Sequence, residues 1–281
     1  LIIVQLKGGL GNQMFQYAAG RAVSLRTAAT LLLDHAGYEP KQAGMYGLDG
    51  LRIQAGLATA RDLQQFEQGT AGRILNRLIP LGMRRIYKEP HFHYDPAFPE
   101  AKPPLYMKGY WQSWKYFHDI EPQIRSDFRF AGTFSPGIMQ KAGQLENTES
   151  VAMHFRRGDY THQQAVQYHG ICGPEYYEKA VQQLPAGLQY YIFTNDPAWV
   201  RDNLPAGISA EILSGSLSHT QYEDLFLMSR CRHQIIANSS FSWWAAWLNA
   251  YGGKKVVAPK RWFNEAQLNT RDLFPQNWLT I

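Results

Sequence analysis

A chain of 281 residues that is 45% hydrophobic and 14% aromatic can bury a full core in one large or two ordinary domains, which excludes intrinsic disorder. The formal net charge of +5 comes without the dense basic stripe of a nucleic-acid-binding module, so it fits an anionic small molecule or a weak attraction to an acidic membrane surface. The two cysteines, Cys172 and Cys231, lie far apart and outside any CxxC or Cys/His spacing; free thiols in a reducing, cytoplasmic compartment are the simplest account, and a single disulfide is the alternative.

Residues 1–6 form a continuous apolar run of the kind buried in a parallel sheet, and it passes directly into Lys7-Gly8-Gly9-Leu10-Gly11-Asn12-Gln13. A helix follows, because Phe15, Ala18, Ala19 and Ala22 recur at helical spacing on one narrow face. Strand, glycine turn and helix together bring backbone N–H groups to a phosphate or a polar sugar. The turn lacks the Lys-Ser/Thr pair of a P-loop, and Met14 stands where a dinucleotide fingerprint needs its third glycine. A tight turn without a ligand is the simpler reading of such a cluster; the paired amides of Asn12 and Gln13 favour a binding role. No run of about 18 apolar residues is present and no basic region precedes the first strand, so neither a membrane span nor a signal peptide is expected. The missing initiator Met leaves open a removed N-terminal segment.

Residues 30–34 read as a second strand, 61–78 as a helix interrupted near 69–72, and 84–94 as extended chain. Residues 105–117, LYMKGYWQSWKYF, are densely aromatic. Core packing accounts for individual rings, while their mixture with Gln112, Ser113 and Lys115 resembles a sugar-binding wall, with Trp111 and Gln112 as acceptor candidates. Short helices are expected at 121–128 and 136–145, and the polar stretch 143–150 marks a domain boundary.

Next comes VAMHFRRGDY, residues 151–160, an apolar strand that ends in fixed positive charge. A guanidinium fork can hold two phosphate oxygens at once, so an arginine at a strand end suits a diphosphate. Alternation along the strand places His154 and Arg156 on one face and Phe155 and Arg157 on the other. Arg156 is therefore the ligand arginine, and Arg157 pairs with Asp159 or another carboxylate. A charged turn ending an ordinary strand remains the plainer alternative from this segment alone.

Beyond it, a helix at 176–184, a strand at 190–194 and a helix from Ala198 place Asn195 and Asp196 at the carboxyl end of a parallel strand, where ligands bind. Capping of the next helix is the competing role for Asp196. A helix at 222–229 and a strand at 233–237 lead to NSSFSWW, in which Ser239 and Ser240 can cap a helix start and also meet a phosphate. A last strand at 255–258 precedes an irregular aromatic tail.

GGLGNQMFQYAAGRA, GYWQSWKYF, HFRRGDY, FTND, NSSFSWWAAWL and VVAPKRWF, in this order and over nearly the whole chain, closely resemble the bacterial α-1,2-fucosyltransferases. The resemblance implies an α/β fold of GT-B type, two Rossmann-like domains facing across a cleft: residues 1–147, with the tail 263–281 packed back on them, and residues 148–262. It implies inverting transfer of fucose from GDP-fucose, held mainly by the second domain, to the 2-hydroxyl of a terminal galactose. It aligns His154 and Arg156 with the superfamily's GDP-binding pair, and Ser239, Ser240 and Phe241 with its phosphate clamp.

The residues agree with this at several points. There is no Asp-x-Asp motif to carry a metal bridge, so no metal or cofactor is expected. Arg156, the helix start at Ser239–Ser240 and the Gly11, Asn12 and Gln13 turn, with Asn195 and Asp196, form the expected donor set. Trp111, Gln112 and Tyr160 form the acceptor set, and Asp159 and His169 are the candidates for a general base beside catalytic Arg156. GDP-fucose and a galactose-terminated oligosaccharide are the expected partners, with weak peripheral contact at the inner membrane face compatible with the charge. The alternatives are another linkage such as α-1,6, or a non-catalytic nucleotide- or glycan-binding protein.

Overall fold

The computed structural model describes residues 1–38, 46–157, 170–265 and 268–281. Asp159, Tyr160 and His169 lie outside these described residues. The chain divides into two units, Leu1–Ala131 with Asn269–Phe274, and Gly132–Leu268 with Pro275–Ile281.

The first unit is built on five parallel strands in the order β3-β2-β1-β5-β4: β1 Ile2–Gln5, β2 Leu31–Asp34, β3 Gly56–Leu57, β4 Ile86–Lys88 and β5 Leu105–Lys108. Ile2, Ile3 and Val4 of the central strand are wholly buried, as a strand covered on both faces requires. Helix α1, Leu10–Thr27, lies close on the sheet because Gly20 has no side chain: a Cβ there would fall 2.3 Å from Val4 Cγ2. Helices α2, Ala60–Gln64, α3, Thr70–Leu78, and α4, Glu121–Asp127, complete the unit.

The second unit begins with α5, Pro136–Asn147, and β6, Ser150–Phe155. It continues through α6 Pro174–Val181, β7 Gln189–Thr194, α7 Pro197–Asp202, β8 Ser209–Ile212, α8 Gln221–Arg230, β9 His233–Ile235, α9 Ser240–Leu248, β10 Val256–Ala258 and β11 Leu279–Thr280. Its six parallel strands run β11-β10-β9-β6-β7-β8. The chain starts at β6, steps outward to β8, then returns to the other side of β6 at β9, which is the doubly wound order of nucleotide-binding sheets. Val151, Met153 and Phe155 bury one face of β6 against Tyr177, Ile192 and Ile235.

Two expectations about organisation are corrected. The division falls after Ala131, not after residue 147, because α5 buries Ile138, Ala142 and Leu145 and packs on α8 within the second unit. The polar 143–150 stretch is the exposed side of that helix and its exit. The tail also divides differently. Its end adds β11 to β10, with Lys260 N–H donating to Ile281 O at 2.7 Å, and Trp278 packs 5.3 Å from Trp243, both in the second unit. Within the first unit, Asp272 accepts from Lys115 Nζ at 2.6 Å, and its carbonyl accepts from Ser113 Oγ at 2.6 Å. Among the described residues no helix is long and apolar enough to cross a membrane.

Candidate functional site

At the carboxyl ends of β6, β7 and β8 the second unit opens a cavity of about 340 Å³. Its walls are His154 and Arg156 after the core of β6, Thr194 and Asn195 after β7, the Ser214–Ser218 turn after β8, Thr220 and Asp224 at the start of α8, and Phe241 of α9. The volume lies in the small-ligand range of about 300–1,000 Å³, and the position is where doubly wound sheets bind their ligands.

The strand sets the charge. His154 and Arg156 line the cavity, whereas Phe155 stacks on Tyr177 at 3.9 Å on the opposite face of the sheet. Arg157 follows Phe155: its guanidinium lies 3.7 Å from the centre of the Trp199 ring, with Nε 3.6 Å from Asp196 Oδ2. His154 is 5% exposed, and its Nδ1 has no hydrogen-bond partner among the described residues. Burial, reinforced by the nearby Arg156 charge, lowers its pKa to about 3, so the ring stays neutral. It lies 5.8 Å from the Phe241 ring.

Hydroxyls furnish the rest. Ser214 Oγ accepts from Thr194 N–H at 3.0 Å and donates to Asp224 Oδ2 at 2.9 Å, and Ser218 Oγ donates to the other carboxylate oxygen. Burial raises Asp224 to about 6 against the pull of both serines. Thr220 and Glu223 form a capping box at α8. These pocket residues escaped the sequence reading; the serine-rich SGSLSHT ahead of that box was the available signal.

Several expected donor residues take other roles. Asp196 accepts from Trp199 N–H at 3.2 Å, capping α7, and it pairs with Arg157, so it is a structural carboxylate. Asn195 lines the cavity, and its Oδ1 accepts from Arg157 N–H at 3.0 Å. Ser239 stands at the N-cap of α9 but makes no side-chain cap, and Ser242 Oγ turns back to Ser239 O at 3.2 Å. The expected capping by serine is thus absent, and the first-turn amides of α9, at Ser240 and Phe241, are left without a side-chain cap.

In the first unit the glycine turn is real: Gly8 has φ +77°, and its carbonyl accepts from Gln13 Nε2 at 2.9 Å and Tyr38 OH at 2.8 Å. Gln13 is wholly buried and also accepts from Gly47 N–H at 2.9 Å, so it braces the turn and is not offered to a donor. Gly11 is buried in the first turn of α1. Asn12 Oδ1 accepts from Gln112 Nε2 at 2.6 Å, while the buried Gln112 Oε1 has no partner among the described residues.

Trp111 is wholly buried, 4.9 Å from Tyr87 and 5.4 Å from Tyr116, so it belongs to the core and not to an acceptor wall. Its backbone sits at φ +57°, a left-handed conformation uncommon for a large side chain. Glu89, a residue that sequence reasoning passed over, holds this turn: its oxygens accept from Tyr110 N–H at 2.7 Å and Trp111 N–H at 3.0 Å. Burial lifts its carboxyl to about 7. No sequence pattern marks this lone glutamate.

Two doubly wound parallel units, the second with an arginine, hydroxyls and an open helix start gathered at its strand ends, are the architecture of a GT-B glycosyltransferase. Fucosyltransferase NodZ from Bradyrhizobium shares the fold, with a TM-score of 0.50 and 12% identity over 87% of this chain and 91% of that one. The chain belongs to Glycosyl transferase family 11, whose profile matches residues 87–281. It is 32% identical to an alpha-1,2-colitosyltransferase of Escherichia coli, across 100% of this chain and 99% of the relative. It is 28% identical to galactoside alpha-(1,2)-fucosyltransferase 2 of Mus musculus, across 50% of this chain and 43% of that protein.

Proposed function

We propose that the protein transfers L-fucose from GDP-β-L-fucose to the 2-hydroxyl of a terminal galactose, with inversion and without a metal ion. The observation that carries this is Arg156, aimed with neutral His154 into a cavity beside the open start of α9, in a chain of family 11. In this reading the bond from the anomeric carbon to the β-phosphate oxygen breaks as the acceptor oxygen attacks the opposite face. The fork of Arg156 and the α9 amides take up the charge gathering on the departing GDP. His154, its pKa lowered to about 3 by burial, is neutral near pH 7 and offers an N–H or a lone pair without adding charge. Ser214, Ser218 and Asp224 supply polar contacts elsewhere in the cavity. The acceptor proton goes to Asp159 or His169, and Tyr160 and Gln112 contact the acceptor. Oxocarbenium character places most of the catalytic demand on the leaving group, which an arginine can meet without a cation.

The test is GDP release from GDP-fucose with and without lactose, in EDTA, with linkage analysis of the product. Acceptor-dependent release in EDTA yielding Fucα1-2Gal supports the reading. Dependence on added metal, another linkage, or binding without turnover would each overturn the corresponding part.

The E. coli relative favours one second reading, in which the donor sugar is colitose. Colitose is fucose without its 3-hydroxyl, so competing the two GDP-sugars for one acceptor decides between them. A site built to hydrogen-bond that hydroxyl rejects the deoxy sugar by several orders of magnitude.

A further inference from the structure

The first unit has a cavity of its own. It runs along the edge strand β4 to the carboxyl ends of β4 and β5, where open α/β sheets hold ligands, and its volume is about 1030 Å³ against 340 Å³ for the cavity of the second unit. None of the residues assigned to the donor lines it.

Its polar lining carries both signs. Glu67 and Glu89 border the same space as Arg84, Lys88 and Lys108, with Asn76 beside them. Lys88 and Lys108 are the last residues of their strands and are register partners across the β4–β5 pair. A bare anion or a bare cation would be drawn to one half of such a wall and opposed by the other. A sugar hydroxyl both donates and accepts, so neighbouring hydroxyls on one ring can donate to a carboxylate and accept from an ammonium.

Much of this wall is fixed before a ligand arrives. Glu89 is held by Tyr110 N–H at 2.7 Å and Trp111 N–H at 3.0 Å, and it lies against Gly109, where a Cβ would fall 2.5 Å from Glu89 Cβ. Each of its oxygens, engaged by one N–H, keeps a further lone pair. The Asn76 amide is tied at both ends to Ile86: Nδ2 donates to the carbonyl at 2.7 Å, and Oδ1 accepts from the N–H at 3.1 Å. The Lys108 ammonium lies 4.6 Å from the centre of the Tyr106 ring, whose hydroxyl donates to Asp34. Groups already oriented lose little freedom when they bind. Tyr106 and Lys108 belong to the 105–117 stretch whose mixture of rings and polar groups reads as a sugar-binding wall. Trp111 turns into the core, and these two residues carry the wall instead.

We infer that this cavity holds the acceptor oligosaccharide and contacts more than one of its sugars, through Glu67, Glu89, Lys88 and Lys108. The inference rests on the transfer reaction proposed above and says where its second substrate is bound. The volume, at the top of the range of about 300–1,000 Å³ for small-ligand sites, leaves room beyond a single sugar ring.

Ligand-observed NMR titration of the whole protein, without any donor sugar, tests the cavity separately from the reaction. Wild type should bind a galactose-terminated tetrasaccharide about tenfold more tightly than methyl β-galactoside, and Glu67→Ala combined with Lys88→Ala should remove most of that difference. Both side chains are exposed, so the double variant should keep its melting temperature. The KM values of the two acceptors in fucosyl transfer should follow the same ratio. Equal affinity of the wild type for the two sugars would overturn the inference and leave the transfer reaction standing. So would a preference for the longer sugar that neither the double substitution nor Lys108→Ala reduces. Tetrasaccharide binding that these substitutions abolish, in a protein that transfers no fucose, would keep the cavity as a glycan site and overturn the reaction instead.

Discussion

The guanidinium of Arg157 lies 3.7 Å from the centre of the Trp199 ring, on the opposite side of the chain from the cavity that Arg156 lines. Two adjacent arginines thus have separate duties, one holding α7 against the sheet and the other facing the cavity.

Arg156→Lys keeps the charge but loses the planar fork, and kcat/KM for fucosyl transfer should fall by about 100-fold or more, with the fold intact by circular dichroism. Arg157→Lys should behave in the opposite way. It loses a ring contact worth roughly 0.5–2 kcal/mol, lowering the melting temperature, while turnover stays within about tenfold. Wild-type turnover in Arg156→Lys would refute the diphosphate assignment.

Asp196→Ala removes the cap of α7 and should cost about 1 kcal/mol in denaturant unfolding. Its ion pair with Arg157 is long and partly exposed, so little is added by losing it. KM for GDP-fucose should be unchanged; a rise of tenfold or more would restore Asp196 to the donor set.

His154 gives the protein an acid sensitivity whose sign is fixed. Its folded pKa is lowered to about 3 from 6.5. In that window the unfolded chain binds a proton that the folded chain does not, so stability is complete above pH 6.5 and drains away as the pH falls towards 3. In His154→Gln the dependence of unfolding free energy on pH between these limits should be shallower by up to about 1.4 kcal/mol per pH unit. An identical slope in chemical denaturation at several pH values would place the ring in water.

Trp111→Ala should destabilise by about 3–5 kcal/mol, since the indole fills the core between Tyr87 and Tyr116. Trp111→Phe should fold and retain the acceptor KM. A large rise in that KM without loss of stability would return the residue to the acceptor wall.

Gly8→Ala meets two obstacles, a φ of +77° and a Cβ placed 2.4 Å from Asn12 Nδ2. A loss of about 1–2 kcal/mol is expected from the backbone alone. The shift of Asn12 away from Gln112 should be visible in a crystal structure of the variant.

The parallel strands were legible because strands buried on both faces have to be continuous apolar runs, as in residues 1–6 and 151–155. The split between Arg156 and Arg157 was legible for the same reason, since side chains alternate along a strand. Strands β3 and β11, with two residues each, leave no periodic trace, and the alternately exposed β8 looks like loop. Trp111 misled because it is buried on a turn with a left-handed backbone, and Glu89, just past the end of β4, braces that turn. Neither fact has a local pattern. The pocket hydroxyls at 214–220 were hidden by their distance in sequence from β6, which only the strand order removes.

The segment Asn269–Phe274 belongs to the first unit although nearly the whole second unit precedes it in the chain. A gene rearrangement that exchanged the second unit at a single junction after Ala131 would import a foreign copy of this segment, and Lys115, Ser113 and Tyr94 would lose the Asp272 they hold. New pairings of the two units therefore require two crossovers, or one crossover with a matched Asp272. Chimeras built to test donor preference should keep residues 269–274 with the native first unit, and relatives that recombined during evolution should carry the same constraint in their sequences.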